Sequence, residues 1–390
     1  MPAAGLTNAR AASSDHPLRL LSIMLLAFAG VLSQGLIPFI VRGLTSYAHL
    51  TTSQAGLCAG AEMGGSALGI AAVLFLLGQL SRRRLACAAL LAVIAGNLLC
   101  TGASSVLAYC SARFLAGVGC GLTTAAFGMI STMSRPARNF ALFSGSSVIL
   151  MSAAQAWIPV LLARCGLPAL FALIAAPAGI ALFFVALIPN SAPAASHGAL
   201  TLPSGAQRRR AILALLSNVA FFTSLAAFWT YVVEISVANG NAAARVTQIV
   251  AGGFLFGGIA GSAIAAAAGS RVRPFLAAAL NSAIMAAAVA IMVWVPGFAA
   301  FSIFAVIFLL CWFTTYPFLM ALLAEIDPAG GLTVMGVLAQ SVGWLSGPAL
   351  GSVLLARGAH GSLGWLSTGG FLLAAACASL VGPGSRTRSI

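Results

Sequence analysis

Apolar residues run along this chain in stretches of roughly 20, separated by short polar breaks, with neither the alternation of a half-buried strand nor a heptad seam. A run of about that length matches the hydrocarbon core of a bilayer. The pattern predicts twelve spanning helices, over residues 18–41, 54–77, 85–103, 106–132, 141–163, 167–188, 211–237, 247–269, 274–295, 298–322, 332–356 and 363–382. The longest connection runs from Pro189 to Arg210, mixes Pro, Ser, Gly and Ala, and ends in Arg208, Arg209 and Arg210. It reads as a flexible linker. The expected layout is a tail at 1–17, a six-helix bundle at 18–188, a cytoplasmic linker at 189–210, a second six-helix bundle at 211–382 and a tail at 383–390.

Composition supports the membrane reading. Of 390 residues, 61% are hydrophobic and only 6% charged, against about 25% charged in soluble domains. The net charge of +14 would suggest nucleic acid in a soluble protein, but the arginines sit in short loops between apolar runs, where they set orientation instead. With both termini in the cytoplasm, that side holds Arg10, Arg19, Arg82, Arg83, Arg84, Arg135, Arg138, Arg208, Arg209, Arg210, Arg271, Arg273, Arg386 and Arg388. The outer side holds Arg42, Arg164, Arg245 and Arg357, and Arg113 lies inside a span. This segregation follows the positive-inside rule. All 19 basic residues are Arg, which with so much Ala and Gly suggests a GC-rich bacterial genome and hence a bacterial inner membrane.

The halves resemble each other. Gly60–Gly69 reads GAEMGGSALG and leads to GQLSRRR at Gly78–Arg84; Gly252–Ser262 reads GGFLFGGIAGS and leads to GSRVR at Gly269–Arg273. Gly64–Gly65 and Gly257–Gly258 align at an offset of 193, Gly78 and Gly269 at 191. Two repeated six-span halves are a transporter plan. On these residues the chain resembles the major facilitator superfamily over nearly its whole length. GQLSRRR is similar to the loop motif between the second and third spans of that family, with Arg82 near the place of its Asp. RFLAGVGCG (Arg113–Gly121) is similar to its Arg-xxx-Gly-xxx-Gly pattern in span four. The fifth span lacks the GPxxGG pattern of proton-coupled drug antiporters, whereas the eleventh carries GWLSGPALG (Gly343–Gly351). The general look is nearest to small bacterial sugar- or drug-efflux permeases. The resemblance implies an all-α membrane protein with twelve transmembrane helices in two pseudo-symmetric bundles, and a central cavity lined by spans one, four, seven and ten.

Only five acids occur: Asp15, Glu62, Glu234, Glu325 and Asp327. Ionisable groups within spans are expensive and usually functional. Glu62 lies about 12 Å from the outer end of its span at 1.5 Å per residue, and Arg113 sits at similar depth. A carboxylate in low dielectric gains affinity for a proton, the requirement for coupling; Arg113 keeps its charge and needs a partner. Two readings stand: a fixed ion pair holding the helices, or a proton and substrate site. Glu234 lies near the outer end of span seven, with Thr223, Thr230 and Tyr231 on its face. Arg42 holds a nearly equivalent place in span one, so the two are candidates for an outer gate, or else solvated span ends. Glu325 is a candidate inner-gate charge, and Asp327-Pro328 reads as a helix cap opening span eleven.

Proton-coupling candidates are therefore Glu62 and Glu234; gating candidates are Arg42, Glu234 and Glu325. Substrate-binding candidates are Gln34, Arg113, Gln155, Thr230, Tyr231, Trp312, Tyr316, Gln340 and Trp344, since amide, hydroxyl and indole groups in an apolar cavity suit a small amphipathic solute. The glycine ladders read as close-packing faces. The eight cysteines form no CxxC pair, no phosphate loop or nucleophile elbow occurs, and no metal-ligand spacing is present, so no cofactor, metal or enzyme activity is expected. The expected partners are a small organic substrate, protons and membrane lipid, without nucleic acid, for a chain acting as a monomer. The expected function is proton-coupled efflux by alternating access, with uptake symport as the alternative and a transporter-like membrane sensor as a further class.

Overall fold

The structure, a computed structural model, describes residues 16–76, 80–131, 133, 136–188, 190, 205–268, 271–327, 331–356 and 360–382. Within a bilayer each segment must satisfy its own backbone groups, so apolar runs become helices. The first six runs give α1 (Pro17–Gly35), α2 (Ile37–Tyr47), α3 (Thr52–Leu76), α4 (Arg82–Thr101), α5 (Val106–Leu122), α6 (Ala125–Ser131) and α7 (Pro136–Phe184). The second six give α8 (Ala206–Ala238), α9 (Ala243–Ala268), α10 (Pro274–Trp294), α11 (Phe298–Ile326), α12 (Gly331–Ala356) and α13 (His360–Val381).

Among the described residues eleven helical stretches are long and apolar enough to cross a membrane. One of them, Leu142–Leu187 in α7, is 46 residues long, about twice what a bilayer of ~30 Å requires. Gly166 breaks it, at φ 71° and ψ −172°, so it crosses twice, and the crossings number twelve. The chain divides into two compact units, one of Met1–Leu50 with Ala61–Ser196, the other of Thr51–Gly60 with His197–Ile390. Each holds six crossings.

Three spans differ in detail from the hydropathy pattern. The first breaks at Leu36, because Pro38 in the opening turn of α2 brings no N–H to the ladder. The fourth breaks at Thr123 and Thr124, whose hydroxyls turn back onto the carbonyls of Cys120 and Gly121 at 2.7 and 2.6 Å. The expected loop between spans five and six shrinks to the left-handed Gly166, a backbone conformation that glycine adopts without strain. Helix starts follow cap chemistry: Ser81 opens α4 and Ser105 opens α5, each accepting the backbone N–H three residues on. Asp327 acts at the start of α12, where its Oδ2 accepts the N–H of Leu332 at 2.9 Å. Pro328 lies outside the described residues, as do Gly78 and Gln79, Gly269, Arg135, Arg357, the tails at 1–15 and 383–390, and all of 191–204 in the linker.

The glycine ladders set helix spacing in both units. A Cβ at Gly65 or Gly69 of α3 would strike the backbone of α5, and one at Gly117 or Gly121 of α5 would strike that of α3. In the second unit, Gly257 and Gly261 of α9 press on Leu309, Leu310 and Phe313 of α11 in the same way. Small residues allow such backbone approach between membrane helices. Outward-facing leucines such as Leu99, Leu107 and Leu373 stay exposed, as a lipid-facing surface should.

Candidate functional site

In the first unit the close approach of α3 and α5 decides where charge goes. Gly117, one turn after Arg113 on the same face, lets α5 rest on the backbone of Glu62. Arg113 and Glu62 are both 0% exposed. Arg113 Nε donates to Glu62 Oε2 at 3.1 Å, and Arg113 Nη2 forms an ion pair with the same oxygen. Nη1 donates to Asn97 Oδ1 of α4 at 2.8 Å, and Nη2 to Ser33 Oγ of α1 at 2.6 Å. Asn97 is aimed by its own amide N–H, which donates to Val93 O one turn back at 2.8 Å. The ring of Phe171 covers the guanidinium at 5.6 Å, a favourable cation–π arrangement.

Arg113 is thus committed on three sides, while Glu62 is not. Glu62 Oε1 is buried without a hydrogen-bond partner among the described residues. An ionised carboxylate offers about four acceptor positions, so this oxygen has room for a donor group. Protonating Glu62 would leave the charge of Arg113 uncompensated in an apolar bundle, which is costly. The pair is therefore self-neutralising.

Two amides flank this cluster. Gln34 Nε2 lies 3.5 Å from Ser66 Oγ, one turn beyond Glu62. Gln155 Nε2 donates to Gly35 O at 3.0 Å. That carbonyl is released by the break at Leu36, because the N–H of Phe39 bonds instead to Leu36 O. Gln155 Oε1 has no partner.

The second unit brings together rings. Trp312 lies 5.3 Å from Trp229, 5.9 Å from Phe254 and 6.0 Å from Trp344, centroid to centroid. Phe222 joins Trp344 at 6.3 Å to Tyr316 at 6.2 Å. Tyr316 is 43% exposed, and Trp312 and Trp344 are half-buried. Gln340 Nε2 reaches Met320 Sδ at 3.3 Å. Thr230 bonds its own helix at Ala226 O, and Tyr231 donates to Pro348 O at 2.9 Å. Gly343 and Gly347 hold α12 against α8, and a Cβ at Gly351 would meet the Tyr231 ring.

Of the sequence candidates, the structure joins Glu62 with Arg113, and Trp312 with Trp344 and, through Phe222, Tyr316. Arg42 and Glu234 are half-buried near span ends, and Glu325 is exposed. Ser33 and Asn97 escaped the sequence reading. Asn97 carried a usable signal, a lone amide in the apolar run LLAVIAGNLLC. Ser33 gave none, since a serine in a span ordinarily bonds its own helix.

No family model and no curated protein matches the sequence. Solved structures do match the fold. The xylose transporter XylE of E. coli, in an inward-open conformation, superposes with a TM-score of 0.73 at 14% identity, covering 95% of this chain and 97% of that one. The nucleoside transporter NupG superposes with a TM-score of 0.74 at 12% identity, covering 94% of this chain and 100% of that one. The chain therefore has the major facilitator fold expected from its sequence.

Proposed function

We propose that this chain is a secondary transporter of a bacterial inner membrane, moving a small amphipathic organic solute by alternating access with proton-coupled efflux as its direction. The free Oε1 of Glu62 within a neutral, buried Glu62–Arg113 pair carries the reading. A proton on Glu62 releases Arg113, and the freed guanidinium shifts the preference of the bundle from one state to the other. Such a switch needs an acid that is dry, paired and not saturated with donors, and Glu62 is all three. The fold adds support, because the proteins it matches are named as transporters of xylose and of nucleosides. Within the second unit, the half-buried indoles of Trp312 and Trp344 and the amide of Gln340 supply the apolar wall and few polar groups that small-solute sites use. Arg42, Glu234 and Glu325 are retained as gating charges, with Glu234 as a second proton carrier.

Purified protein in sealed vesicles tests this. A panel of small solutes under an imposed pH gradient should show one solute driven across the membrane. Glu62→Gln should abolish gradient-driven accumulation while leaving solute counterflow. Unchanged gradient-driven flux with the same pH dependence in Glu62→Gln would remove the coupling role. Flux in the opposite sense under the same gradient would make the protein an uptake symporter, and binding without flux a sensor.

A further inference from the structure

We propose that a basic recess at the start of α1 holds the phosphate headgroup of an anionic membrane phospholipid. A cavity of about 500 Å³ opens there, lined by His16, Arg19 and Arg83 with Leu187, and by no acid among the described residues. Arg83 is anchored. Its Nε donates to Ile188 O at 3.2 Å, and its Nη2 to Ala186 O at 2.6 Å and Ile188 O at 3.1 Å. Those carbonyls end the sixth span, in and just after the 3₁₀ turn Val185–Leu187. Nη1 makes no hydrogen bond among the described residues, and no carboxylate among them pairs with Arg83. A guanidinium so tethered keeps its charge and one N–H edge in place, the geometry that suits a phosphate oxygen.

The other two groups add to this. Arg19 lies in the first turn of α1, where the helix macrodipole also favours an anion. His16 Nδ1 accepts the N–H of Leu18 at 3.3 Å, which leaves Nε2 to donate in the neutral ring. A lipid fits better than a free anion because apolar surface continues beside the recess: Leu18 and Leu21 of α1, and Leu187 itself, are exposed. A phosphate in the recess would place acyl chains along those leucines, at the level where the spans begin. Basic pockets between helix ends are known to take anionic headgroups by this charge and depth logic.

Native mass spectrometry of the purified full chain, titrated with phosphatidylglycerol, tests the proposal. One lipid should bind well ahead of the rest, and a large excess of inorganic phosphate should not displace it. Arg19→Gln leaves the anchorage of Arg83 intact and should weaken binding about fivefold. Adding Arg83→Gln should weaken it by about fivefold again, whereas Arg271→Gln at another span end should change nothing. Wild-type affinity in the Arg19→Gln, Arg83→Gln double variant would overturn the assignment. Equal competition by phosphatidylcholine would overturn its dependence on anionic charge, and displacement by inorganic phosphate would turn the recess into a free-anion site.

Discussion

In the first bundle, the side chains that meet among the spans are an arginine, a glutamate, an asparagine and a serine, drawn from four crossings. In the second, rings meet instead, Trp312 contacting Trp229, Phe254, Phe313 and Trp344. The backbone plan is shared. Glycines in each half bring α3 onto α5 and α9 onto α11. The interior chemistry is not shared. The offset that aligns Gly64–Gly65 with Gly257–Gly258 puts Leu255 where the first half has Glu62. The offset that aligns Gly78 with Gly269 pairs Ser33 with Ser224, and Ser224 Oγ turns to Ala220 O on its own helix at 2.8 Å. Helix spacing tolerates only small residues at a few points, so a repeat preserves it. A charge network needs every member at once, so one half can lose it and fill the space with rings, which need no directional partner.

The comparison can be broken at its centre. Glu62→Ala leaves Arg113 buried and unpaired, and should cost about 3–5 kcal/mol of stability, seen as a large fall in the thermal unfolding midpoint in detergent. Replacing both members, Glu62→Leu with Arg113→Leu, imitates the second bundle and should recover most of that loss. A small effect in the single variant would mean that charge is not what holds the first centre. Next in size are close-packing glycines, one from each half. Gly117→Leu and Gly257→Leu each drive a side chain into a facing backbone and should each cost about 1–3 kcal/mol. Unequal losses, measured by the same unfolding assay, would show that the two halves differ in packing as well as in chemistry. Smallest is Trp312→Leu, which keeps an apolar filler but forfeits the ring geometry, at about 1 kcal/mol. A loss approaching that of Glu62→Ala would make the aromatic group a keystone of equal rank.

Much of this was legible beforehand in particular residues. Helix limits fell within a few residues of the apolar runs, since lipid leaves the backbone no alternative to a helix. The depth match of Glu62 and Arg113 anticipated their pairing, because an arginine in a span must find an acid. Gln155 stands out in the sequence as a substrate candidate; the structure gives its Nε2 the carbonyl of Gly35, a partner that exists only because α1 breaks at Leu36. The breaks at Leu36 and Thr123–Thr124 lie inside unbroken hydropathy and follow from local backbone chemistry that a window average conceals.

Hydropathy, arginine placement and the glycine repeat were enough to define twelve spans in two related halves, because each follows from a short stretch of chain meeting lipid or its neighbour. Which polar groups meet was decided by tertiary packing. Ser33 and Gln34 are adjacent, but a helix turns about 100° per residue, so one reaches Arg113 and the other Ser66. Only the approach of α1, α3, α4 and α5 to hydrogen-bond distance settles that choice, and with it the one oxygen of Glu62 left free.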